Sequence, residues 1–490
     1  MLLGAVDLGS NSFRVEIGRV DGDRIITQSY WKETIRLAAG FDDSGAITPD
    51  MQKRALDALA RFHERLAGLP ATQVRAVGTQ ALREAKNSAE FLAKAEAALG
   101  YPIGILSGHE EARLVFKGCA RTLPPSSKKR LIVDIGGAST EFVIGQELTA
   151  QAYESFHVGC VNTSIKFFKD GILTPQKFEQ AIVACAAEFS ERELRFSQCQ
   201  FDEAYGSAGT FGAISELCVQ LGWSDGAVCL EHLNKLQARL IQAGKIDNIH
   251  FPGLKADRKE VIAGGLAVLI AVYRTLGIRS MRPASGALRV GLLYELLGVV
   301  QNRDTRDISV EGLIKTSGIS RDHAERVANL SVQFLNILAP DSDPADLKRL
   351  RWSALLHEIG TTISTSRYHR HGEYIVNNAD MPGFTRTDQK YMASLILSQR
   401  GRLSKISEEL HSSKFAIHVL ALRLAIIFAH ARKTIQFPLM TVSHNTKNSN
   451  TTFIKIEQAW LQEHPLTAYL LQQEIEHWQK VGKTIILETF

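Results

Sequence analysis

A six-residue pattern that occurs twice constrains the fold of this chain more than any other feature. Asp7–Ser12 reads Asp-Leu-Gly-Ser-Asn-Ser, and Asp134–Ser139 reads Asp-Ile-Gly-Gly-Ala-Ser. Each copy follows a short apolar run and precedes a strand-like run that leads to Ile-Gly, at Ile17-Gly18 and Ile144-Gly145. This order predicts a strand, a glycine turn and a second strand in each copy. The repeat therefore predicts two small domains, each built on the same hairpin.

The composition of the two turns is typical of a phosphate site. Glycine lets the backbone approach a ligand closely, and Ser and Asn supply hydroxyl and amide donors for phosphate oxygens. The aspartates Asp7 and Asp134 are compatible with bound phosphate only if a cation lies with them. Two facing turns of this kind indicate a metal-assisted phosphoryl site in a cleft between the duplicated domains. The alternative is that Asp-x-Gly turns are frequent in hairpins that bind nothing.

Two further segments combine small residues with features that favour anions. Gly206–Thr210 lies between the strand-like Glu203–Tyr205 and a helical run, where free N–H groups and the helix dipole favour a negative charge. A close helix-packing contact explains the same residues equally well. Ser285–Arg289 joins a glycine to a cation, and its alternative is an ordinary turn with a surface arginine.

The segment after Leu106 separates two neighbouring glutamates. Ser107 and Glu110 fit a capping box, which makes Glu110 structural. Glu111 is rotated about 100° around the helix and is free to face a cleft, although a solvated glutamate in a first helical turn is the simpler interpretation. Arg83 follows a strand, where it could bind phosphate oxygens in a forked geometry. A helix-surface arginine is the alternative for Arg83.

The length of 490 residues exceeds one core and predicts about three or more domains. Strand and helix signals alternate to about Gly298, interrupted by a Pro-, Ser- and Lys-rich break at Leu123–Lys129, and helical periodicity dominates from Gln301. The last fifty or so residues mix strand-like runs with a helix. We assign two α/β domains to residues 1–122 and 123–300, a helical domain to 301–436 and a small mixed domain to 437–490.

Composition indicates an ordinary globular protein of a reducing compartment. The net charge of +5 permits an acidic partner without demanding one, and we predict no nucleic-acid partner.

The longest apolar runs, Val261–Tyr273 and Phe415–Ala431, are shorter than the ~20 residues of a spanning helix, so no membrane insertion is expected. The N-terminus lacks a signal sequence, which predicts a cytoplasmic protein. The cysteines include no CxxC pair, and we expect no disulfides among Cys119, Cys160, Cys185, Cys199, Cys218 and Cys229.

The helical domain contains a histidine-rich segment. His357-Glu358 with Tyr368–His371 is similar to part of a metal-dependent His-Asp phosphohydrolase core. The carboxylate is Glu, however, and no Asp is clearly placed to complete the ligands. Histidines packed at helix ends are the commoner outcome for such a pattern.

The motifs together resemble those of the exopolyphosphatase and guanosine pentaphosphate phosphohydrolase (Ppx/GppA) family. The resemblance rests on Ala5–Phe13, Ser107–Arg113, Ile132–Glu141, Gly159–Val161 and Gly286–Arg289. It implies an α/β fold with two actin-like (ASKHA, ribonuclease H-like) domains around a cleft, followed by an HD-like helical domain and a small mixed C-terminal domain. It also implies a homodimer with a basic channel that threads polyphosphate.

The resemblance also implies roles for individual residues. Glu111 would be the general base that activates water, and Asp134 and Glu141, with Asp7, would hold Mg²⁺. A monovalent cation such as K⁺ is a further expected cofactor. The expected phosphate-binding residues are Ser10, Asn11, Ser12, Arg83, Gly136, Gly137, Ala138, Ser139, Gly209 and Arg289.

Three positions depart from the family pattern. Ala138 stands where the family often has a third glycine, Ser285 replaces a frequent aspartate, and Gln399 lies where long relatives can carry a histidine. Ala138 is expected to alter the turn slightly, and Ser285 removes a carboxylate from its loop. Gln399 and Glu358 argue that the HD-like domain is not itself a working metal phosphohydrolase.

The leading hypothesis is an exopolyphosphatase that releases terminal orthophosphate from inorganic polyphosphate with Mg²⁺. The alternative hypothesis, with the same chemistry, is a hydrolase that removes the 5′ γ-phosphate of guanosine pentaphosphate. A kinase on the same fold would need an acceptor pocket and a catalytic aspartate, neither of which the sequence places, and would form ADP only with an acceptor. A non-catalytic sensor of guanosine tetraphosphate or polyphosphate would bind tightly without turnover.

Overall fold

The protein is described by a computed structural model that covers residues 1–190, 196, 200–433, 438–444 and 451–490. The chain divides into two compact units, Met1–Asp304 and Thr305–Phe490. The finer division into four domains stays a prediction. Its last boundary, at 436/437, and Cys199 lie outside the described residues.

The first half of unit 1 contains a five-stranded mixed sheet. Its order is β3-β2-β1-β4-β5, with β1, β2 and β3 antiparallel and β4 and β5 parallel to β1. The strands are β1 Leu2–Leu8, β2 Ser12–Asp21, β3 Arg24–Thr34, β4 Val74–Gly78 and β5 Ile103–Ile105.

The second half of unit 1 repeats this topology. Its sheet has the order β10-β9-β6-β7-β8, with the same antiparallel and parallel pairings in the same places. The repeat predicted from the two turns is therefore present in the fold. The strands are β6 Lys129–Ile135, β7 Thr140–Gln146, β8 Thr149–Phe156, β9 Glu203–Ser207 and β10 Arg282–Pro283.

The two copies also share an irregularity in the strand pair that follows each glycine turn. The register between β2 and β3 shifts between Ile17 and Gly18, and the register between β7 and β8 shifts between Ile144 and Gly145. A register shift of this kind is a β-bulge, which bends and twists the strand locally. The repeated Ile-Gly of the sequence therefore marks a repeated bulge.

Helices cover the sheets of unit 1 and fill the space between them. Two of them, α4 and α11, pack against β1 and β6 in one shared core. The backbone of α4 lies close to the residue that precedes α11. A Cβ added to Gly118 would lie only 2.2 Å from the carbonyl oxygen of Ala287, so this approach requires glycine at position 118. The helices are α1 Pro49–Leu66, α2 Gln80–Glu84, α3 Ser88–Leu99, α4 Gly108–Thr122, α5 Cys160–Phe168, α6 Pro175–Ser190, α7 Ala208–Gln220, α8 Leu230–Ala243, α9 Ala256–Lys259, α10 Ile262–Leu276 and α11 Leu288–Val300.

Unit 2 is mainly helical and ends in a three-stranded sheet of order β11-β12-β13. One hydrophobic core joins the helices and the sheet. The helices are α12 Thr305–Ser317, α13 Arg321–Leu338, α14 Pro344–Leu355, α15 Tyr368–Asn378, α16 Arg386–Ser398, α17 Ser413–Ala429, α18 Gln458–Glu463 and α19 Pro465–Gln479, and the strands are β11 Met440–His444, β12 Thr451–Ile456 and β13 Thr484–Thr489.

A buried ion pair links the two parts of unit 2. Arg423 in α17 donates Nε to Glu474 Oε1 at 2.5 Å and Nη2 to Oε2 at 2.6 Å, and both residues are nearly inaccessible. The Trp478 indole N–H also donates to Glu474, and Arg423 Nη1 donates to the Ser398 carbonyl. The last long helix is thus fixed to the helical bundle by a fully satisfied polar cluster.

We expect Glu474→Gln to destabilise unit 2 by about 3 kcal/mol, because it leaves the Arg423 guanidinium buried without its counter-charge. Urea unfolding followed by tryptophan fluorescence measures the change. Glu476→Gln is the matched control on the same helix, with an expected effect within about 0.5 kcal/mol. Equal stability of the Glu474 variant and the control would contradict this account.

No helix of the described residues is long and apolar enough to cross a membrane. Five cysteines, Cys119, Cys160, Cys185, Cys218 and Cys229, are free thiols.

Candidate active site

The two glycine turns meet at one cleft in unit 1. A Cβ on Gly137 of the second turn would lie 3.2 Å from both the backbone nitrogen and the Cβ of Asn11 in the first. Both turns line the cleft, which offers about 80 Å³ to water-sized molecules. The predicted juxtaposition of the turns is therefore present.

The first turn presents polar groups that lack partners of their own. The Ser10 hydroxyl accepts the backbone N–H of Ala81 at 3.3 Å, which attaches the turn to α2. Asn11 Oδ1 and Ser12 Oγ are buried and have no hydrogen-bond partner within the described part of the chain. A buried polar atom without a partner costs about 1–3 kcal/mol, so these two atoms are suited to a ligand or its ions.

The second turn is held by the start of α5. The carbonyls of Gly136 and Gly137 accept the N–H groups of Cys160 and Val161 at 2.9 and 2.8 Å. A Cβ on Gly159 would lie 2.4 Å from the Gly137 carbonyl oxygen, so the approach requires glycine there. The Gly159–Val161 motif of the sequence therefore stabilises the second turn.

Four buried carboxylates line the cleft: Asp7, Glu111, Asp134 and Glu141. Burial raises the pKa of Asp134 to about 7, and the nearby charge of Glu111 adds to the increase. Burial and the charges of Glu111 and Asp134 likewise raise the pKa of Glu141 well above its ordinary value. The pKa values of Asp7 and Glu111 are also raised by burial, against the opposing effect of nearby arginines. The cleft therefore concentrates negative charge that a cation would stabilise.

Glu111 and Glu110 point in different directions, as the helical geometry predicts. The backbone N–H of Glu110 donates to the Ser107 hydroxyl at 3.1 Å, and the Glu110 carboxylate receives two bonds from Arg113 at 2.8 Å. Glu111 faces the cleft, and its Oε2 receives Arg83 Nη1 at 2.9 Å. The capping role leaves Glu110 structural and Glu111 available for chemistry.

Several predicted phosphate ligands have other partners in this structure. Arg83 also donates to the Leu106 carbonyl at 2.9 Å, so its guanidinium holds Glu111 in place. The hydroxyl of Ser139 hydrogen-bonds Glu141, which Ser155 also contacts at 2.9 Å. Ala138 is buried. The phosphate-binding roles of these three residues stay predictions.

Two arginines that we did not predict from the sequence line the cleft beside Arg289. They are Arg14, whose Nη1 lies 4.0 Å from Asp7 Oδ2, and Arg258 in α9. Strand alternation could have identified Arg14, because it lies two residues after Ser12 and so on the same face. No local signal indicates Arg258, which reaches the cleft because a glycine, Gly209, leaves room for its guanidinium.

The register of the hairpins makes the two copies chemically unequal. Asp7 pairs with Arg14 across the first hairpin, whereas Asp134 pairs with Glu141 across the second. The first copy therefore places a cation beside its aspartate, and the second places another anion there. The first turn therefore lies beside a positive charge, and the second lies beside a further negative charge.

Gly209 lies at the predicted third anion-binding segment, at the start of α7. The preceding residue, Ala208, has φ +60°, a left-handed conformation that costs alanine roughly 1–2 kcal/mol. Both residues line the cleft. Strain of this kind is concentrated at ligand-binding sites.

Arg289 is oriented by a buried carboxylate on the neighbouring strand. Its Nε donates to Glu16 Oε2 at 3.1 Å, and Glu16 Oε1 receives the Thr27 hydroxyl at 2.8 Å. Arg289 Nη1 is 3.7 Å from Asp7 Oδ2 and forms no hydrogen bond within the described residues. Glu16 therefore leaves one guanidinium nitrogen available to the cleft.

We expect Glu16→Gln to lower kcat/KM for the substrate about tenfold, mainly through KM, because Arg289 loses the charge that orients it. Steady-state kinetics measure the change. Glu33→Gln on β3 is the control, because Glu33 pairs with Arg61 and does not line the cleft. Unchanged kinetics of Glu16→Gln alongside a strong loss in Arg289→Ala would show that Arg289 needs no such support.

The carboxylates of the cleft offer the type of ligand atom that a hard divalent cation prefers. Asp134 Oδ1 is buried and lacks a hydrogen-bond partner within the described part of the chain. Asp7, Asp134 and Glu141 supply only oxygen donors, which Mg²⁺ prefers. A cation beside the unpaired Ser12 hydroxyl and a buried carboxylate base is an arrangement suited to phosphoryl transfer to water.

Comparison with family models identifies both units. The model described as the Ppx/GppA phosphatase family matches residues 18–299, and the one described as Ppx/GppA phosphatase, domain III, matches residues 305–475. Together they cover most of the chain.

Two relatives extend over nearly the whole chain. A protein of Aeromonas hydrophila is 37% identical over 98% of this chain and 97% of its own length. One of Vibrio cholerae is 34% identical over 99% of this chain and 98% of its own length. Both are named guanosine-5′-triphosphate,3′-diphosphate pyrophosphatase.

Solved structures show the same fold. An exopolyphosphatase of Cytophaga hutchinsonii aligns with a TM-score of 0.56 at 23% identity, over 61% of this chain and 98% of its own. The Aquifex aeolicus Ppx/GppA enzyme aligns with a TM-score of 0.51 at 21% identity, over 60% of this chain and 99% of its own. The expected actin-like fold with a helical domain after it is thereby confirmed.

Proposed function

Because the chain belongs to the Ppx/GppA phosphatase family and so hydrolyses phosphoanhydride bonds, we propose that it transfers the terminal 5′-phosphate of guanosine pentaphosphate to water. The products would be orthophosphate and guanosine tetraphosphate. The observation that carries the hydrolytic part is Glu111, a buried carboxylate that faces the cleft between two phosphate-type turns. The choice of nucleotide rests on near-full-length relatives that carry this activity in their names.

The first turn is suited to hold the terminal phosphate. Its hydroxyl and amide groups at Ser10, Asn11 and Ser12 surround the cleft, and Arg14 and Arg289 lie on the same side of it. Hydrogen bonds from preorganised donors to the transferred group contribute most when its charge is redistributed in the transition state. Phosphate bound there would share the cleft with Glu111, which also lines it.

Glu111 would accept a proton from the attacking water. The water oxygen forms a bond to the terminal phosphorus while the bridging P–O bond breaks, and the remaining nucleotide leaves with the bridging oxygen. The raised pKa of Glu111 makes its carboxylate a stronger base than an exposed glutamate. Arg83 keeps that carboxylate oriented, and its charge opposes the rise in the pKa of Glu111.

We further propose that Asp134 and Glu141, with Asp7, hold Mg²⁺. When bound, Mg²⁺ would neutralise charge on the phosphate oxygens and relieve the repulsion among the carboxylates. A K⁺ requirement and a homodimer stay predictions. The five free thiols are consistent with the reducing cytoplasm we propose as the site of action.

A second pocket continues from the cleft and has room for the leaving group. It encloses about 340 Å³ and shares Arg14, Gly209, Arg258 and Arg289 with the cleft. Its other cationic and aromatic lining residues include Tyr30, Lys32 and Lys255. Cations beside an exposed aromatic ring suit a nucleotide that carries further phosphates.

Inorganic polyphosphate is the second candidate substrate. The cations Lys32, Lys255 and Arg258 extend the positive lining beyond the catalytic turns, where they could bind successive phosphates of a chain. None of these three cations needs a nucleobase as its partner, because each can bind phosphate alone. The same hydrolytic site would then serve both substrates.

The test is the ratio of kcat/KM on guanosine pentaphosphate and on long-chain polyphosphate, each with and without Mg²⁺. A higher value on the nucleotide supports the proposal, and a higher value on polyphosphate supports the second candidate. ADP formation from ATP only in the presence of an acceptor would instead indicate a kinase. Tight nucleotide binding without any phosphate release would indicate a sensor.

A further inference from the structure

A cluster of metal-type ligands lies in unit 2, in the part of the chain that the proposed function does not use. His323 in α13, His357 after α14 and the adjacent Glu358 each offer one potential ligand atom, and these atoms lie within 4.8 Å of one another. Both histidines are buried. The three residues offer two nitrogen ligands and one oxygen ligand.

The local hydrogen bonds leave the histidines suited to bind a metal. His357 Nδ1 lies 2.7 Å from the Ala354 carbonyl oxygen, which can only accept, so Nδ1 carries the proton and Nε2 keeps its lone pair. Metal-binding histidines commonly donate their second N–H to a carbonyl in this way. His323 Nδ1 has no hydrogen-bond partner within the described residues.

Gln399 fixes the backbone beside this cluster. Its side-chain amide donates to the His357 carbonyl at 2.6 Å and to the Ile396 carbonyl at 3.0 Å. Gln399 therefore holds the backbone of His357 in place through its carbonyl and does not supply a ligand nitrogen. The glutamine that departs from the family pattern is compatible with a site made of the other three residues.

Arg432 forms an ion pair with the carboxylate of Glu358, the oxygen ligand of the cluster. Its Nη1 and Nη2 donate to Glu358 Oε1 and Oε2 at 2.7 and 2.6 Å. The arginine is half exposed and lies just beyond the end of α17 with φ +55°, a left-handed conformation that is unfavourable for a side chain of this size. The pair is thus partly solvated and can open at modest cost.

We propose that His323, His357 and Glu358 form a binding site for a divalent transition metal, typified by Zn²⁺, and that Arg432 competes with the metal for Glu358. Two imidazoles and one carboxylate are a ligand set that binds Zn²⁺ with a fourth position open. A Zn–N distance of about 2.0–2.1 Å in tetrahedral geometry places ligand atoms about 3.3 Å apart. The ligand atoms therefore need to approach by at most about 1.5 Å.

Calorimetric titration of the full-length protein with Zn²⁺ tests the site. We expect His357→Gln and His323→Gln each to weaken binding at this site at least about tenfold. Arg432→Ala is expected to tighten it about fivefold, because the competing pair with Glu358 is removed. His411→Gln, an exposed histidine outside the cluster, is the matched control and should leave the affinity unchanged.

Co²⁺ absorption spectra separate this site from the carboxylates of unit 1. Tetrahedral Co²⁺ with nitrogen ligands gives visible bands, and we expect these bands in Arg432→Ala and in Asp134→Asn but not in His357→Gln. Circular dichroism confirms that each variant is folded. Bands that survive loss of both histidines, or an Arg432→Ala protein that takes up neither Zn²⁺ nor Co²⁺, would overturn the proposal.

Discussion

Glu111→Gln is expected to lower kcat for phosphate release about 10³-fold, because the amide cannot accept a proton from the attacking water. The substitution keeps the size of the side chain and one acceptor oxygen for Arg83, so substrate binding should change little. KM is therefore expected to stay within about threefold of the unmodified protein. Single-turnover phosphate release with saturating substrate measures the chemical step directly.

The pH profile gives a second measure of the same residue. Burial raises the pKa of Glu111 above the ordinary 4.5 of a glutamate, so the base loses activity as the pH falls through this raised value. An acidic limb of kcat/KM above pH 4.5 is thus expected in the unmodified protein, and Glu111→Gln should keep only the part of this limb that arises from protonation of Asp134 and Glu141.

Glu110→Gln provides the matched control. Glu110 lies on the same helical turn and is equally buried, but its carboxylate contacts Arg113 instead of the cleft. We expect this variant to lose stability and to keep kcat within about fivefold. A Glu111→Gln enzyme with nearly full activity would exclude Glu111 as the base, whatever the control shows.

Asp134→Asn is expected to reduce kcat/KM by about 10³-fold or more at low Mg²⁺, because a cation loses one of its carboxylate ligands. The Mg²⁺ concentration for half-maximal rate should rise at the same time. Phosphate release measured over a Mg²⁺ titration gives both values. Asp225→Asn, at an exposed carboxylate of unit 1, is the matched control and should leave both unchanged.

The same variant should stabilise the metal-free protein. The folded state raises the pKa of Asp134 from 3.8 to about 7, so it binds this proton more tightly than the unfolded chain does. Stability from this group is then full below pH 4 and lost as the pH rises to about 7, by roughly 4 kcal/mol in total. Asp134→Asn removes the ionisable group, so its advantage in free energy of unfolding should grow from pH 5 to pH 8 in EDTA.

Addition of Mg²⁺ should reverse that order. The cation compensates the Asp134 charge in the unmodified protein and stabilises it by binding only the folded state. Thermal unfolding at pH 8 with EDTA and with Mg²⁺ measures both effects. A variant that is no more stable than the unmodified protein in EDTA would show that burial and the neighbouring carboxylates do not destabilise ionised Asp134 in the folded state.

Much of the fold could be predicted from local patterns. Apolar periodicity in the sequence predicts helices near Pro49–Leu66 and Ser88–Leu99, and α1 and α3 have these bounds, because periodicity is a local property. The edge strands β3 and β8 were not predicted. Their residues are largely exposed or half buried, so they lack the continuous apolar runs that identify buried strands.

Short-range spacing in the sequence is sufficient to predict the duplicated hairpin and to separate Glu111 from Glu110 around the helix. Only the tertiary structure decided which charges meet in the cleft. Strand register sets Arg14 opposite Asp7 and Glu141 opposite Asp134, and packing brings Arg258 against Gly209 from a distant helix. The pKa values of the carboxylates likewise depend on burial among residues far apart in the chain, which spacing along one strand or helix cannot reveal.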